Sequence, residues 1–282
     1  MGRDGQDRVR YPPVSSPHRT GPHSTDPHTT GPHSTGRPMV AVAHGSRDPR
    51  AAATVAALLD AVRARRPDVP VHASFLDHAP PAPDRVLDGL ARDGADEAVV
   101  LPLLLTAAYH SKTDIPGVLN RVRALHPRLR LRTAETLGPD PLLIDALERR
   151  LSDAGVEAGD PDTAVVLVSA GSSDPAANAV IARLAREWRA RGWRGVVPAY
   201  ASAARPRPAE AVAALLDAGA PRVAVASYFL APGYFADKVR AETLAAGAAA
   251  VSPVLGAAPE VADLVVRRYT EALETARAAA AG

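Results

Sequence analysis

Cysteine is absent from the 282 residues, and lysine stands only at Lys112 and Lys238. Without thiols there is no disulfide, no thiolate zinc site, no Cys-ligated iron–sulfur cluster and no cysteine nucleophile, which fits a reducing compartment. Long apolar runs are missing too. The longest stretch, Ala98 to Tyr109, falls short of the about 20 residues that cross a bilayer, so no transmembrane span is expected. The opening MGRDGQDRVRYPP has no apolar core of the kind a secretory signal needs. The expected location is the cytoplasm, with no membrane partner.

An excess of one charge is also lacking in the body of the chain. Residues 1–38 carry Arg3, Arg8, Arg10, Arg19 and Arg37 against Asp4, Asp7 and Asp26, and the remaining 28 basic and 28 acidic residues cancel. Aromatic residues are only 4% of the chain. With neither a basic stripe nor many stacking side chains, nucleic acid is not an expected partner.

What is present begins with a repeat. Pro17 to Gly36 reads PHRTG, PHSTD, PHTTG, PHSTG, with His18, His23, His28 and His33 in register. The segment has no apolar residue to bury and so cannot offset its own ordering entropy, which predicts that residues 1–38 form a disordered His/Pro-rich tail. Three readings of it stay open: it collects divalent metal through neutral imidazoles, it is inert, or it is not translated, the start being Met39.

Beyond Arg37, short β-branched runs alternate with longer amphipathic stretches. Strands are expected at Val40–Ala43, Val71–Leu76, Ala98–Leu103, Leu129–Arg132, Ala164–Ser169, Val196–Ala201, Arg222–Ser227 and Ala250–Ser252. A helix is expected over Pro49–Arg66, where Val55, Leu58, Leu59 and Val62 recur at helical spacing. Near-continuous apolar strands alternating with helices predict an α/β fold of parallel sheets covered on both faces.

The pattern repeats. VAVAHGSRDP at Val40–Pro49 returns as VLVSAGSSDP at Val166–Pro175, and GADEAVVLPLLLTAAYH from Gly94 parallels GAPRVAVASYFLAPGYF from Gly219. Order and spacing agree, so the chain is read as two tandem copies of one flavodoxin-like parallel-sheet unit, over residues 39–158 and 159–282. The turn-rich AGVEAGDPD marks the boundary, near residues 155–163.

Ligands of doubly wound sheets bind outside the carboxyl ends of the strands, and in a flavodoxin-like order the first and third strands flank that crevice. His44 ends the first strand and His110 follows the third, so the two imidazoles are expected to converge. Asp77 and His78 follow the second strand on the same edge. Gly45 permits close approach of the backbone, Asp48 suits a helix cap and Pro49 the first helical position. The amides there attract anions, and Arg47 adds a bidentate group for carboxylates.

Between the copies, Gly45, Ser46, Asp48, Pro49 and Tyr109 are matched by Gly171, Ser172, Asp174, Pro175 and Tyr234, whereas His44 becomes Ala170 and His110 becomes Phe235. All nine histidines lie at or before His126. Loss of both imidazoles from a retained frame points to a chemical role rather than a structural one. Two imidazoles without a full cage suit Fe, Co or Ni and leave positions open, and a neutral imidazole also accepts a proton near neutral pH. Tyr228, Phe229, Tyr234 and Phe235 are read either as an apolar wall or as strand core and turn packing. Leu103 to Leu105 read as core, and Asp114 as a helix cap.

VAVAHGSRDP, the FLD of Phe75–Asp77 and PLLLTAAYHSKTDIP at Pro102–Pro116 together resemble the sirohydrochlorin chelatase family, the ATP-independent class II chelatases, in a fused two-unit form. The resemblance runs from residue 39 to about residue 270. It implies insertion of Co2+ or Fe2+, a co-substrate, into sirohydrochlorin on the routes to cobalamin or siroheme, with no nucleotide. By that resemblance His44 and His110 are catalytic and bind the metal. Asp77, where the family usually has an acidic residue, joins them as a metal ligand. The polycarboxylate substrate finds partners in Ser46, Arg47, Tyr109 and Lys112. One active site per chain is implied, in a monomer or a homodimer.

Two rivals remain. A metal store or metallochaperone would use the His-rich tail. A histidine-type phosphatase also begins with a strand and His-Gly, but such enzymes hold phosphate with an arginine directly before the histidine, where this chain has Ala43.

Overall fold

A computed structural model of the chain describes residues 36–106 and 114–281, with side chains of the last helix described to residue 275. The pentapeptide repeat lies almost wholly outside the described residues, with only Gly36 described, and so do Tyr109, His110 and Lys112. Strands β1 (Met39–Ala43), β2 (Val71–Phe75), β3 (Glu97–Pro102) and β4 (Arg130–Thr133) form one parallel sheet in the order β2-β1-β3-β4. A second parallel sheet, β6-β5-β7-β8, repeats it with β5 (Thr163–Ser169), β6 (Gly195–Tyr200), β7 (Arg222–Ser227) and β8 (Ala250–Val251). Each expected strand is present, its ends within one residue of the expectation.

The helices are α1 (Pro49–Arg65), α2 (Pro83–Arg92), α3 (Ile115–Leu125), α4 (Pro141–Asp153), α5 (Pro175–Arg189), α6 (Pro208–Asp217), α7 (Tyr234–Ala245) and α8 (Pro259–Ala281). Helices α1 to α6 each carry proline in the first turn, where a missing N–H costs nothing. None of the helices among the described residues is long and apolar enough to cross a membrane.

Both faces of each sheet are buried, and the alternation of side chains sorts them. Val40, Val42, Ala98 and Val100 face α2 and α3, whereas Met39, Ala41, Val99 and Leu101 face a core shared with the second half. That shared core takes in Val165, Leu167 and Trp188 of the second half and runs through α1, α4, α5 and α8. The last helices are exchanged: α4, from the first half, packs on β7, and α8, from the second, packs on α1, β3 and β4. Tyr269 of α8 is fully buried, donates its hydroxyl proton to the Arg37 carbonyl at 2.7 Å and lies beneath the Arg66 guanidinium, 5.4 Å from the ring centre. At the start of β3, burial pushes the Glu97 carboxyl up, but bonds from Arg37 and Arg132 outweigh it and hold the group below the usual carboxylate range.

The loops at the carboxyl ends of the sheets are near copies. Gly45 and Gly171 take φ of +94° and +82°. A Cβ on either would lie 1.8 Å from the Asp77 carbonyl oxygen or 2.1 Å from that of Ser202. Asp77 donates its N–H to the His44 carbonyl (2.9 Å), as Ser202 does to Ala170 (2.8 Å). Ser46 Oγ accepts the Asp48 N–H at 3.1 Å and Asp48 caps α1 through Arg50 N–H at 2.9 Å. Ser172 and Asp174 repeat both bonds at 3.0 and 2.9 Å. Even the left-handed residues match, His78 at +61° and Ala203 at +56°.

Because one core serves both halves, urea unfolding is expected to show a single transition by every probe. Tyr269→Ala should lower stability by about 3–5 kcal/mol and Tyr269→Phe by about 1 kcal/mol; separate transitions for the two halves would contradict the shared core. Gly45→Ala and Gly171→Ala should each cost about 1–3 kcal/mol or more, since both strain and collision oppose the new Cβ. An unchanged midpoint in either would show that the loop relaxes freely.

Candidate active site

His44 stands exposed one residue beyond β1, on the loop that Gly45 folds under the Asp77 carbonyl. Its Nδ1 lies 3.2 Å from the Gly45 carbonyl oxygen. A carbonyl only accepts, so in the tautomer that makes this contact a hydrogen bond Nδ1 carries the proton and Nε2 the lone pair. Asp77 follows β2 beside it, tied by its own N–H to the His44 carbonyl. The Asp77 carboxylate accepts the His78 N–H at 2.8 Å and lies 3.2 Å from His78 Nε2. Thus β1 and β2, neighbours in parallel register, deliver one imidazole and one carboxylate to the same edge.

His44, Asp77, Leu76, Asp114, Val118 and Arg121 line a pocket of about 390 Å³, floored in part by Gly117. Sequence reasoning missed Arg121 and misjudged Asp114. Asp114 precedes α3 but has helical backbone angles, φ −71° and ψ −48°, and its side chain makes no capping bond to the helix, so it does not act as the expected cap. Arg121 sits one turn past Gly117, and its guanidinium reaches to 3.8 Å from where a Cβ on Gly117 would lie. An arginine four residues after a glycine, in the helix following the second imidazole, was the signal available for it.

Of the other expected site residues, Ser46 holds the loop through Asp48 and Arg47 is exposed at its tip. Tyr109, His110 and Lys112 lie outside the described residues. Among the described residues no three His, Asp or Glu side chains form a metal cage. The second half keeps the frame and loses the chemistry, with Ala170, Ser202 and Ala203 where the first has His44, Asp77 and His78. Its own cavity, about 420 Å³ between α5 and the loop after β6, is lined by no imidazole or carboxylate.

The aromatic cluster divides. Tyr228 is buried and donates its hydroxyl proton to the Leu105 carbonyl at 3.1 Å, joining the end of β7 to the loop after β3. Burial pushes its phenol up, with Asp140 adding to the effect, so it stays a neutral donor. Leu103 is core as expected, and Leu104 and Leu105 are half-buried. At the rim, Arg50 of α1 reaches Asp237 of α7 at 2.5 Å, and a Cβ on Gly233 would lie 3.8 Å from Ser46 Oγ. The carboxyl edges of the two sheets therefore border one cleft.

Comparison with known proteins agrees with this geometry. The chain is 29% identical over 203 residues to a sirohydrochlorin ferrochelatase of Priestia megaterium, covering 71% of this chain and 76% of that protein. It is 28% identical over 205 residues to a sirohydrochlorin cobaltochelatase of the same organism, covering 70% and 65%. Among solved structures, SirB from Bacillus subtilis with Fe3+ superposes with a TM-score of 0.74 at 27% identity, over 84% of this chain and 95% of that one. The CbiX family matches residues 38–154 and again 164–272, once for each copy of the unit, and the chain belongs to that family.

Proposed function

We propose that the chain inserts a divalent metal, Co2+ or Fe2+, into sirohydrochlorin, with one active site in residues 39–158 and a degenerate copy in residues 159–282 that closes the cleft. The observation that carries this reading is the duplicated loop frame in which only the first copy bears His44 and Asp77. A frame kept twice serves the fold, and side chains present once serve chemistry. The relatives' names, one a ferrochelatase and one a cobaltochelatase, support the reaction and leave the metal to be decided by assay.

Insertion exchanges one M2+ for two pyrrole protons. His44 first binds the incoming cation weakly through its imine nitrogen and, once the cation has passed to the tetrapyrrole, the freed lone pair takes one of the two pyrrole protons; His110 is its partner as ligand and takes the other. Support for His110 comes from Asp114, four residues further on, which lines the pocket holding His44. Asp77 is the third metal ligand and offsets the cation's charge as its waters leave. Ser46, Arg47, Tyr109 and Lys112 hold the substrate, and Arg121 adds a guanidinium for its carboxylates. No nucleotide takes part, in keeping with a sequence that has no Walker loop or GxGxxG. As a chelatase of this kind the enzyme is a lyase, and a chain without cysteine suits the cytoplasm.

The buried Ala43 at the end of β1 occupies the position a histidine phosphatase gives to arginine, which weighs against phosphoryl transfer. A spectrophotometric assay offering sirohydrochlorin with cobalt or iron tests the proposal. His44→Ala and His110→Ala should each lower turnover by at least about 100-fold with an unchanged circular dichroism spectrum, and undiminished turnover in either would refute its role. Removing residues 1–35, which keeps the contacts of Arg37 to Glu97 and Tyr269, should leave turnover intact with metal in excess. Loss of most metal capacity together with no insertion by the parent chain would favour the metal store.

A further inference from the structure

The second half brings no imidazole to the cleft, yet it places two aromatic rings at its rim. Tyr234 and Phe235 open α7 with relative exposures of 73% and 39%, the rings edge to face with centres 5.6 Å apart. Leu125 and Leu244 are the other large apolar side chains exposed among the described residues, but only Tyr234 and Phe235 stand side by side, and adjacent exposed rings mark binding surfaces. Their placement is specific. Gly233, the preceding residue, stands against Ser46, and Asp237, three positions after Tyr234, pairs with Arg50 in the first turn of α1. Residues three apart share a helix face, so Tyr234 is carried on the side of α7 turned toward the loop of His44. In the duplicated frame Tyr234 and Phe235 occupy the places that Tyr109 and His110 hold in the first copy.

We propose that Tyr234 and Phe235 form the platform on which the macrocycle face of the tetrapyrrole rests while His44 addresses its nitrogens. This rests on the proposed function and names the substrate-binding contribution of the second half. The ligand such a platform takes is a flat conjugated ring with an anionic rim. The rings cover its apolar face, and Arg121, which lines the pocket, together with Arg47, exposed on the His44 loop, supplies guanidiniums for its carboxylates. The Arg50–Asp237 pair and the close approach of Gly233 to Ser46 place the start of α7 beside the His44 loop.

The full chain, titrated with metal-free sirohydrochlorin and followed by absorption, provides the test. Tyr234→Ala/Phe235→Ala should weaken tetrapyrrole binding and raise its KM about tenfold, with the KM for Co2+ and the melting temperature unchanged. Tyr234→Phe/Phe235→Tyr, which keeps both rings, should bind within about threefold of the parent, and Tyr234→Ala alone, at the more exposed ring, should shift affinity in the same direction. Parent-like affinity in the double alanine variant, or equal loss in the ring-preserving one, overturns the platform. A parent chain that neither binds nor metallates sirohydrochlorin overturns the proposed activity itself, a result distinct from the other two.

Discussion

Each sheet has one apolar face that its own half covers only in part, by α1 in the first and α5 in the second, and the molecule is organised by how the rest of those faces is buried. Helix α8 covers β3 and β4 of the first sheet and α4 packs against β7 of the second, so neither half completes its core alone. Once the last helices are exchanged, the two sheets are held with their carboxyl edges toward a common cleft. Buried links such as Tyr269 to Arg37 and Tyr228 to Leu105 then set the spacing of the walls. Ion pairs on the surface, Arg65 with Asp263 and Arg149 with Glu260, add little energy but favour the same arrangement.

Duplication and divergence are separable in this molecule at the level of single bonds. The backbone bonds that shape the His44 loop recur at Ala170, down to the serine that receives an aspartate N–H and the glycine that passes beneath a carbonyl. Such a turn is a folding requirement, since it ends a central strand and starts the helix that covers it. The imidazole and carboxylate of the first copy are additions to that turn. Their replacement by Ala170 and Ser202 leaves the backbone path intact.

Much of this was legible in the residues. The central strands β1, β3, β5 and β7 follow from apolar runs buried on both faces, a signal too strong for local propensity to blur, whereas β4 (RLRT) is an edge strand with exposed ends. The caps Asp48 and Asp174 follow from their position before proline, and the internal match between copies singled out His44 without any other sequence. Asp114 misled because an aspartate before a helix is usually a cap, whereas its backbone is already helical and its carboxylate faces the pocket. Arg121 was passed over because its one signal, a place four residues after Gly117, is weak against the ordinary reading of an arginine on an exposed helix face as solvated. Of the aromatic cluster, read as an apolar wall or as core and turn packing, Tyr228 is core, while Tyr234 and Phe235 stand at the surface.

The amino-acid sequence by itself determined the element order, the duplication, the parallel sheets and the imidazole at the end of β1, because each is written in local periodicity or in a short motif compared with its copy. Only the tertiary structure decided which half covers which sheet, that Asp114 and Arg121 share a pocket with His44, and that α7 brings Asp237 to Arg50 of α1. Periodicity states that a face is buried and is silent about the partner that buries it. That partner is chosen by the docking of helices far apart in the chain, where shape and charge are matched in three dimensions.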